Sequence, residues 1–298
     1  MAINEENVRQ NSLKAWYLAA RPKTLTAALI PVIVACAIAL HDDTFKTGAA
    51  VVCAVFASLM QIASNLVNDL YDFMKGTDGY DRLGPKRATA QGWITPAAMK
   101  GGIIAVMALA CAAGCILVSQ SGWWLVAVGA ACVVFAILYT TLLSYLGLGD
   151  LLVLVFFGIV PVNATYYLQA GMLTSEVVLC SLACGIVVDT LLVLNNFRDR
   201  DSDRRTGKRT IVVMFGERFG RLLYLFLGIY AYLLVVPLVF MEMWPAAVIT
   251  LPYLVIHTRT WREMVRIDHG RELNVILGKT SRNMFVFALL LSAGILLS

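Results

Sequence analysis

Long apolar stretches alternate with short polar ones along this chain, and the apolar stretches have the length of membrane-crossing helices. About 20 mostly apolar residues span a bilayer core, with a range near 17–25. Nine stretches fit, at roughly 24–40, 48–68, 98–118, 123–143, 149–170, 176–197, 222–241, 243–257 and 283–297. Pro31, Pro161 and Pro237 fall inside them; membrane helices tolerate proline where neighbouring groups satisfy the freed carbonyls. The stretches cover nearly the whole chain, which predicts an all-α, polytopic membrane protein with one domain over residues 1–298.

Composition agrees. Of the 298 residues 59% are hydrophobic and 14% charged, against roughly 45–50% and about 25% in soluble proteins. That excludes a disordered chain, a coiled coil and an ordinary soluble enzyme. The seven cysteines lie in apolar stretches and form no C-x-x-C pair, so they read as small packing residues.

The net charge of +5 gains meaning from its placement. With nine spans, every Lys and Arg except Lys46 falls on one side of the membrane. Basic loops face the cytoplasm, so the N-terminus and the long loops are expected there, in a plasma or inner membrane. The excess positive charge then needs no nucleic acid partner. Trp123 and Trp124 suit the outer interface, and Trp16 and Tyr17 the inner one.

Two acidic clusters stand out against this background. Gln61, Asn65, Asn68 and Asp72 follow the i, i+4, i+7, i+11 rhythm of one helix face at the inner end of the second span, with Asp69 beside them. At the inner end of the sixth span, Asn195, Asp199 and Asp203 share a face. The four-span offset between the clusters looks like an internal structural repeat. Carboxylates a turn apart, with cations such as Lys23, Arg82, Arg87, Arg198 and Lys208 near them, suit Mg²⁺ bridging to substrate phosphates. The chemistry favoured is departure of pyrophosphate, with the bilayer supplying a greasy chain. The bland reading is that the acids only balance basic loop residues at a solvated surface; two clusters in matching places weaken it.

At these residues the chain resembles the UbiA superfamily of membrane aromatic prenyltransferases. The stretch from Asn65 through Asn68-Asp69-Leu-Tyr-Asp72 and Lys75-Gly76-Thr-Asp78 to Asp81-Arg82-Leu-Gly84-Pro85 is similar to the branch that prenylates 1,4-dihydroxy-2-naphthoate. Arg21-Pro22-Lys23-Thr24-Leu25, Gly147-Leu-Gly149-Asp150, and Asn195 to Asp203 with Gly207, Lys208 and Thr210 extend the match. The resemblance implies nine helices around a central chamber open to lipid. It implies Mg²⁺ as cofactor, with Asp72, Asp199 and Asp203 holding Mg²⁺–diphosphate and Asp69 among the metal ligands. Asn68, Lys23, Arg82, Asn195, Arg198 and Lys208 are the expected diphosphate-binding set, and Asn65 and Asp189 the expected acceptor pocket. The implied substrates are a polyprenyl diphosphate and 1,4-dihydroxy-2-naphthoate, and the implied product is a demethylmenaquinone precursor for menaquinone biosynthesis. Two departures matter. Gly76 replaces an Asp found in many members, leaving Asp78 or Asp81 as substitutes. The 139–150 segment lacks a basic residue.

Other residues stay open. Asp189 lies ten residues before Asp199, about 15 Å deeper, and either lines the deep end of the chamber or hydrogen-bonds a neighbouring helix. Tyr139, Tyr145, Tyr166 and Tyr167 either shield a carbocation or only pack. The competing functions are a prenyltransferase with another aromatic acceptor and an ion-coupled transporter. Acids gathered at one membrane face speak against the transporter, whose sites usually sit near the midplane. A phosphotransferase for CDP-linked alcohols would need an Asp-Gly-x-x-Ala-Arg signature that is absent.

Overall fold

The computed structural model describes residues 8–76, 82–141 and 146–298, and these residues are helical with no strand. A short helix α1 (Leu13–Ala20) turns through Arg21 and a 3₁₀ turn at Pro22–Thr24 into α2 (Leu25–His41). Then follow α3 (Thr47–Lys75), α4 (Pro96–Ser121) and α5 (Trp124–Thr141). Next, α6 (Gly149–Leu154) passes through a π turn at Val155–Ile159 into α7 (Val160–Ala170). The chain continues as α8 (Ser175–Arg205), α9 (Ile211–Phe215) and α10 (Glu217–Leu233), with a 3₁₀ turn at Val236–Met241. It ends with α11 (Trp244–Thr250), α12 (Pro252–Ile267) and α13 (Leu273–Leu296).

Each of the nine expected stretches falls on helix, but their lengths differ from expectation. Among the described residues, seven helical segments are long and apolar enough to cross a membrane. Apolar α5 is shorter by the same measure. The eighth stretch breaks at Leu251–Pro252 and runs on as α12 to Ile267. Pro252 has no N–H to donate, so it suits the first turn of a new helix, where no such bond is needed. Helix α13 begins at Leu273, ten residues before the expected 283, because Lys279 and Arg282 interrupt the apolar pattern without interrupting the helix.

Helix α8 is central. Its apolar window is 67% buried, against 17% for α4, so α4 faces lipid while α8 is enclosed. The main core joins Ile30 and Val34 of α2, Val162 of α7, Cys184 and Val187 of α8 and Phe287 and Leu291 of α13. Where the end of α6 and the π turn approach α8, glycines remove the side chains between the backbones. A methyl on Gly158 would meet the Ser181 carbonyl at 2.5 Å and the Gly185 Cα at 2.6 Å. Such close backbone approach is how membrane helices associate without a hydrophobic driving force.

Candidate active site

The inner ends of α3 and α8 carry the two acidic clusters, and both helices run well past their apolar portions. Helix α3 reaches Lys75 and α8 reaches Arg205. The carboxylates therefore leave the bilayer on continuous helix, with their spacing fixed by the helix itself.

In the first cluster, Asp72 forms an ion pair with Arg87, whose NH2 also donates to the Asn68 side-chain oxygen at 3.1 Å. Asp69 points elsewhere. Its two oxygens accept the backbone N–H groups of Ala88 and Thr89 at 2.8 and 2.9 Å, and it is 1% exposed. Its carboxylate thus holds the 87–92 turn, and thereby Arg87, against α3. Asn65 turns to the N-terminal segment. It donates to the Ala20 carbonyl and the Thr24 hydroxyl, both at 2.9 Å, and accepts from Gln61 at 3.2 Å. With those bonds it pins the Arg21–Thr24 turn.

That turn delivers Arg21, which sequence reasoning noted only as part of a motif. Its backbone is left-handed, with φ +52°, uncommon for a residue bearing a side chain. The guanidinium is within electrostatic reach of Asp69, Asp72, Arg82 and Arg87, and its NH2 is buried with no hydrogen-bond partner. A buried unpartnered guanidinium nitrogen is costly unless something fills the place. Lys23 is exposed beside it.

In the second cluster, Arg198 and Asp199 form a two-point pair, Nε to Oδ1 at 2.8 Å and NH2 to Oδ2 at 2.6 Å. Asp203 is buried, with Lys208 Nζ 3.9 Å from its Oδ1 and no hydrogen-bond partner for its Oδ2. Asn195 is half-buried on the same face.

The two clusters meet. Asp203 lies within electrostatic reach of Asp199, Arg198 and Asp72. The Arg82–Pro85 turn, closed by Arg82 Nε donating to the Pro85 carbonyl at 2.9 Å, sits on Arg198: a methyl on Gly84 would lie 2.9 Å from its NH2. Asn274 at the start of α13 clamps both sides. It accepts from Arg198 NH1 at 2.8 Å and donates to the Leu83 carbonyl at 2.7 Å. Nothing in the sequence marked Asn274, since neither partner is near it in the chain. Arg200, 1% exposed, donates to the carbonyls of Phe197 and Asp268 at 2.6 and 3.1 Å and fastens the end of α8 to the α12–α13 turn.

Several expected participants lie elsewhere. Tyr166 bonds Asp42, and Tyr167 packs edge-on against Trp124 at 4.8 Å, both toward the far end of the helices. Of the two readings open for them, these contacts fit packing. Asp78, Asp81, Tyr145 and the side chain of Tyr139 lie outside the described residues.

The donor set suits a hard divalent cation. Asp72, Asp199 and Asp203 offer only oxygen, and the buried Asp203 oxygen lacks a partner. Around it stand Arg21, Arg87, Arg198 and Lys208, more positive charge than three carboxylates need. Such an arrangement accepts a metal together with an anion.

Comparison with known proteins agrees. The model of the UbiA prenyltransferase family matches residues 28–296. The 1,4-dihydroxy-2-naphthoate octaprenyltransferase of Escherichia coli is 40% identical over 213 residues, 68% of this chain and 69% of that protein. The enzyme of the same name from Mycobacterium tuberculosis is 34% identical over 281 residues, 93% and 95% of the two chains. Among solved structures, the UbiA homolog from Aeropyrum pernix has a TM-score of 0.69 at 17% identity, covering 91% of this chain and 97% of that one. The Archaeoglobus fulgidus UbiA homolog bound to DMAPP and Mg²⁺ has a TM-score of 0.63 at 14% identity, covering 94% and 98%.

Proposed function

The chain belongs to the UbiA prenyltransferase family, and on that premise we propose that it transfers a polyprenyl group from an allylic diphosphate to 1,4-dihydroxy-2-naphthoate. The acceptor loses its carboxyl group and the product is a demethylmenaquinol. One observation carries the site: Asp203, with a buried unpartnered oxygen, stands within reach of both Asp199 and Asp72, which come from different helices. Relatives named for the naphthoate reaction, matched over most of the chain, support the acceptor.

Asp72, Asp199 and Asp203 would hold Mg²⁺. When bound, the metal supplies positive charge to the leaving pyrophosphate oxygens. The protein's own groups do the rest. Arg21, Arg87, Arg198 and Lys208 bind the remaining diphosphate oxygens, with Asn68, Asn195, Lys23 and Arg82 at the margin. Their charge is fixed before the substrate arrives, so little reorganisation is needed as the leaving group gains charge. Arg198 is bidentate to Asp199, a fork geometry equally able to grip phosphate. The apolar spans below exclude water, which keeps an allylic cation from capture by solvent.

Basic loops gathered at the carboxylate end support a cytoplasmic site in the plasma or inner membrane, with the prenyl donor drawn from the bilayer. The ion-coupled transporter loses its ground with family membership; another aromatic acceptor stays as the second reading. The test supplies purified protein in detergent with Mg²⁺, naphthoate and an allylic diphosphate. Prenylated naphthoate is expected, absent in Asp72→Ala and Asp199→Ala. No product with any allylic donor from a folded sample overturns the proposal.

A further inference from the structure

Two carboxyl groups that the diphosphate site does not use stand at one level beside a close helix crossing. A methyl on Gly185 of α8 would meet the Leu154 carbonyl at 2.7 Å and its Cα at 3.0 Å. The two helices run antiparallel, since α6 and α7 lead toward the outer loop at Gly171 and α8 returns from it. One turn from Leu154 toward the inner side is Asp150, and one turn from Gly185 in the same direction is Asp189. The register thus places the two carboxyls at one level, and they lie within electrostatic reach of each other.

Each keeps one buried carboxyl oxygen without a hydrogen-bond partner. Asp189 is 6% exposed, and its Oδ1 has no hydrogen-bond partner. Asp150 Oδ1 is likewise buried without one. No ion pair among the described residues includes either group. Two buried carboxyls at one level, with no ion-pair partner among the described residues, are costly to keep inside a helix bundle. Membrane proteins seldom keep such groups without a use.

Resting on the prenyl-transfer reading above, we propose that Asp189, with Asp150 at the same level on the facing helix, is the catalytic group that takes and returns the proton of the acceptor's ring hydroxyl. The geometry allows it. Asp189 lies about 15 Å along α8 from Asp199, a span that diphosphate, reacting carbon and a two-ring aromatic together can fill. The chemistry balances. The ring carbon bearing the carboxylate bonds to the allylic carbon, whose C–O bond breaks as pyrophosphate leaves. The adjacent hydroxyl gives its proton to Asp189 and becomes a ketone. The resulting β-keto carboxylate releases CO₂, its electron pair returns to the ring, and the oxygen recovers the proton from Asp189. The dyad ends as it began. Asp150 is the positioning residue, because it reaches the acceptor only through Asp189.

The test uses full-length protein in detergent with Mg²⁺, naphthoate and a short allylic diphosphate. Asp189→Asn keeps size and polarity but removes the proton acceptor. It is expected to lower kcat at least about a hundredfold, within the usual range for proton-transfer catalysis, with the KM for the diphosphate unchanged. Asp150→Asn is expected to lower kcat about tenfold, again with that KM unchanged. A folded Asp189→Asn within threefold of wild-type kcat overturns the proposal. If Asp189→Asn does not fold, Asp150→Asn decides, and wild-type kcat there overturns it equally. Wild-type protein that binds Mg²⁺–diphosphate yet prenylates no naphthoate sinks the acceptor reading and the dyad's role with it. A competent wild type beside an unimpaired variant sinks the dyad alone.

Discussion

Arg198 grips its own neighbour Asp199 through two parallel hydrogen bonds, at 2.8 and 2.6 Å. Adjacent residues on a helix point about 100° apart, so this pairing bends both side chains toward a common place. The third arm of Arg198 is held by Asn274 at 2.8 Å. The guanidinium is thus fixed in plane before any diphosphate arrives.

That geometry makes lysine a poor substitute. Arg198→Lys keeps the charge but loses the fork. We expect kcat/KM for the allylic diphosphate to fall about tenfold to a hundredfold, the cost of one or two charge-assisted hydrogen bonds. Steady-state kinetics with varied donor measure it, and a value within twofold of wild type refutes it.

Asp69 should behave as a structural residue. Asp69→Ala leaves two buried backbone N–H groups without partners, which costs about 1–3 kcal/mol each at most. A lower thermal midpoint in detergent is expected, while the Mg²⁺ concentration giving half-maximal activity stays the same in the folded fraction. A large rise in that concentration without loss of thermal stability would show Asp69 to be a metal ligand instead.

Chelation should act differently from substitution at the scaffold. EDTA is expected to abolish turnover reversibly, with Mg²⁺ restoring it. Asp203→Asn should raise the Mg²⁺ requirement about tenfold or more, since it removes one of three anionic ligands. Turnover that persists after exhaustive chelation contradicts the metal assignment.

Gly158→Ala and Gly185→Ala test the crossing of α8 with the end of α6 and its π turn. Their new methyl groups meet backbone at 2.5 and 2.7 Å, and backbone cannot swing aside as a side chain can. Overpacking of this kind costs about 1–3 kcal/mol or more. Faster thermal inactivation is expected, whereas Gly129→Ala, with nothing near its added methyl, should be neutral.

Much of this was legible in the sequence because helix periodicity is local. The stripe Gln61, Asn65, Asn68, Asp72 lies on one face of α3, and Asn68 and Asp72 do share a partner. That partner, Arg87, returns through a loop whose path no pattern foretells. Asp69 sits one position off the stripe, and its partners are backbone N–H groups, which leave no mark on residue identity. Asn65 has the same difficulty, since its bond to Ala20 is to a carbonyl. Asn274 lies 76 residues from Arg198 and 191 from Leu83, so only the folded chain unites them. The ends of α12 and α13 were misjudged because hydropathy reports where a helix leaves lipid, not where it stops.

The glycine crossing has a consequence for altering what the enzyme accepts. With the acceptor beside Asp189 as proposed, a wall made of backbone on both sides has no rotamers to exchange, so that side cannot be widened residue by residue to fit a bulkier ring. Enlarging the repertoire of aromatic partners has to come from walls built of side chains, and selection for new acceptors should leave Gly158 and Gly185 untouched.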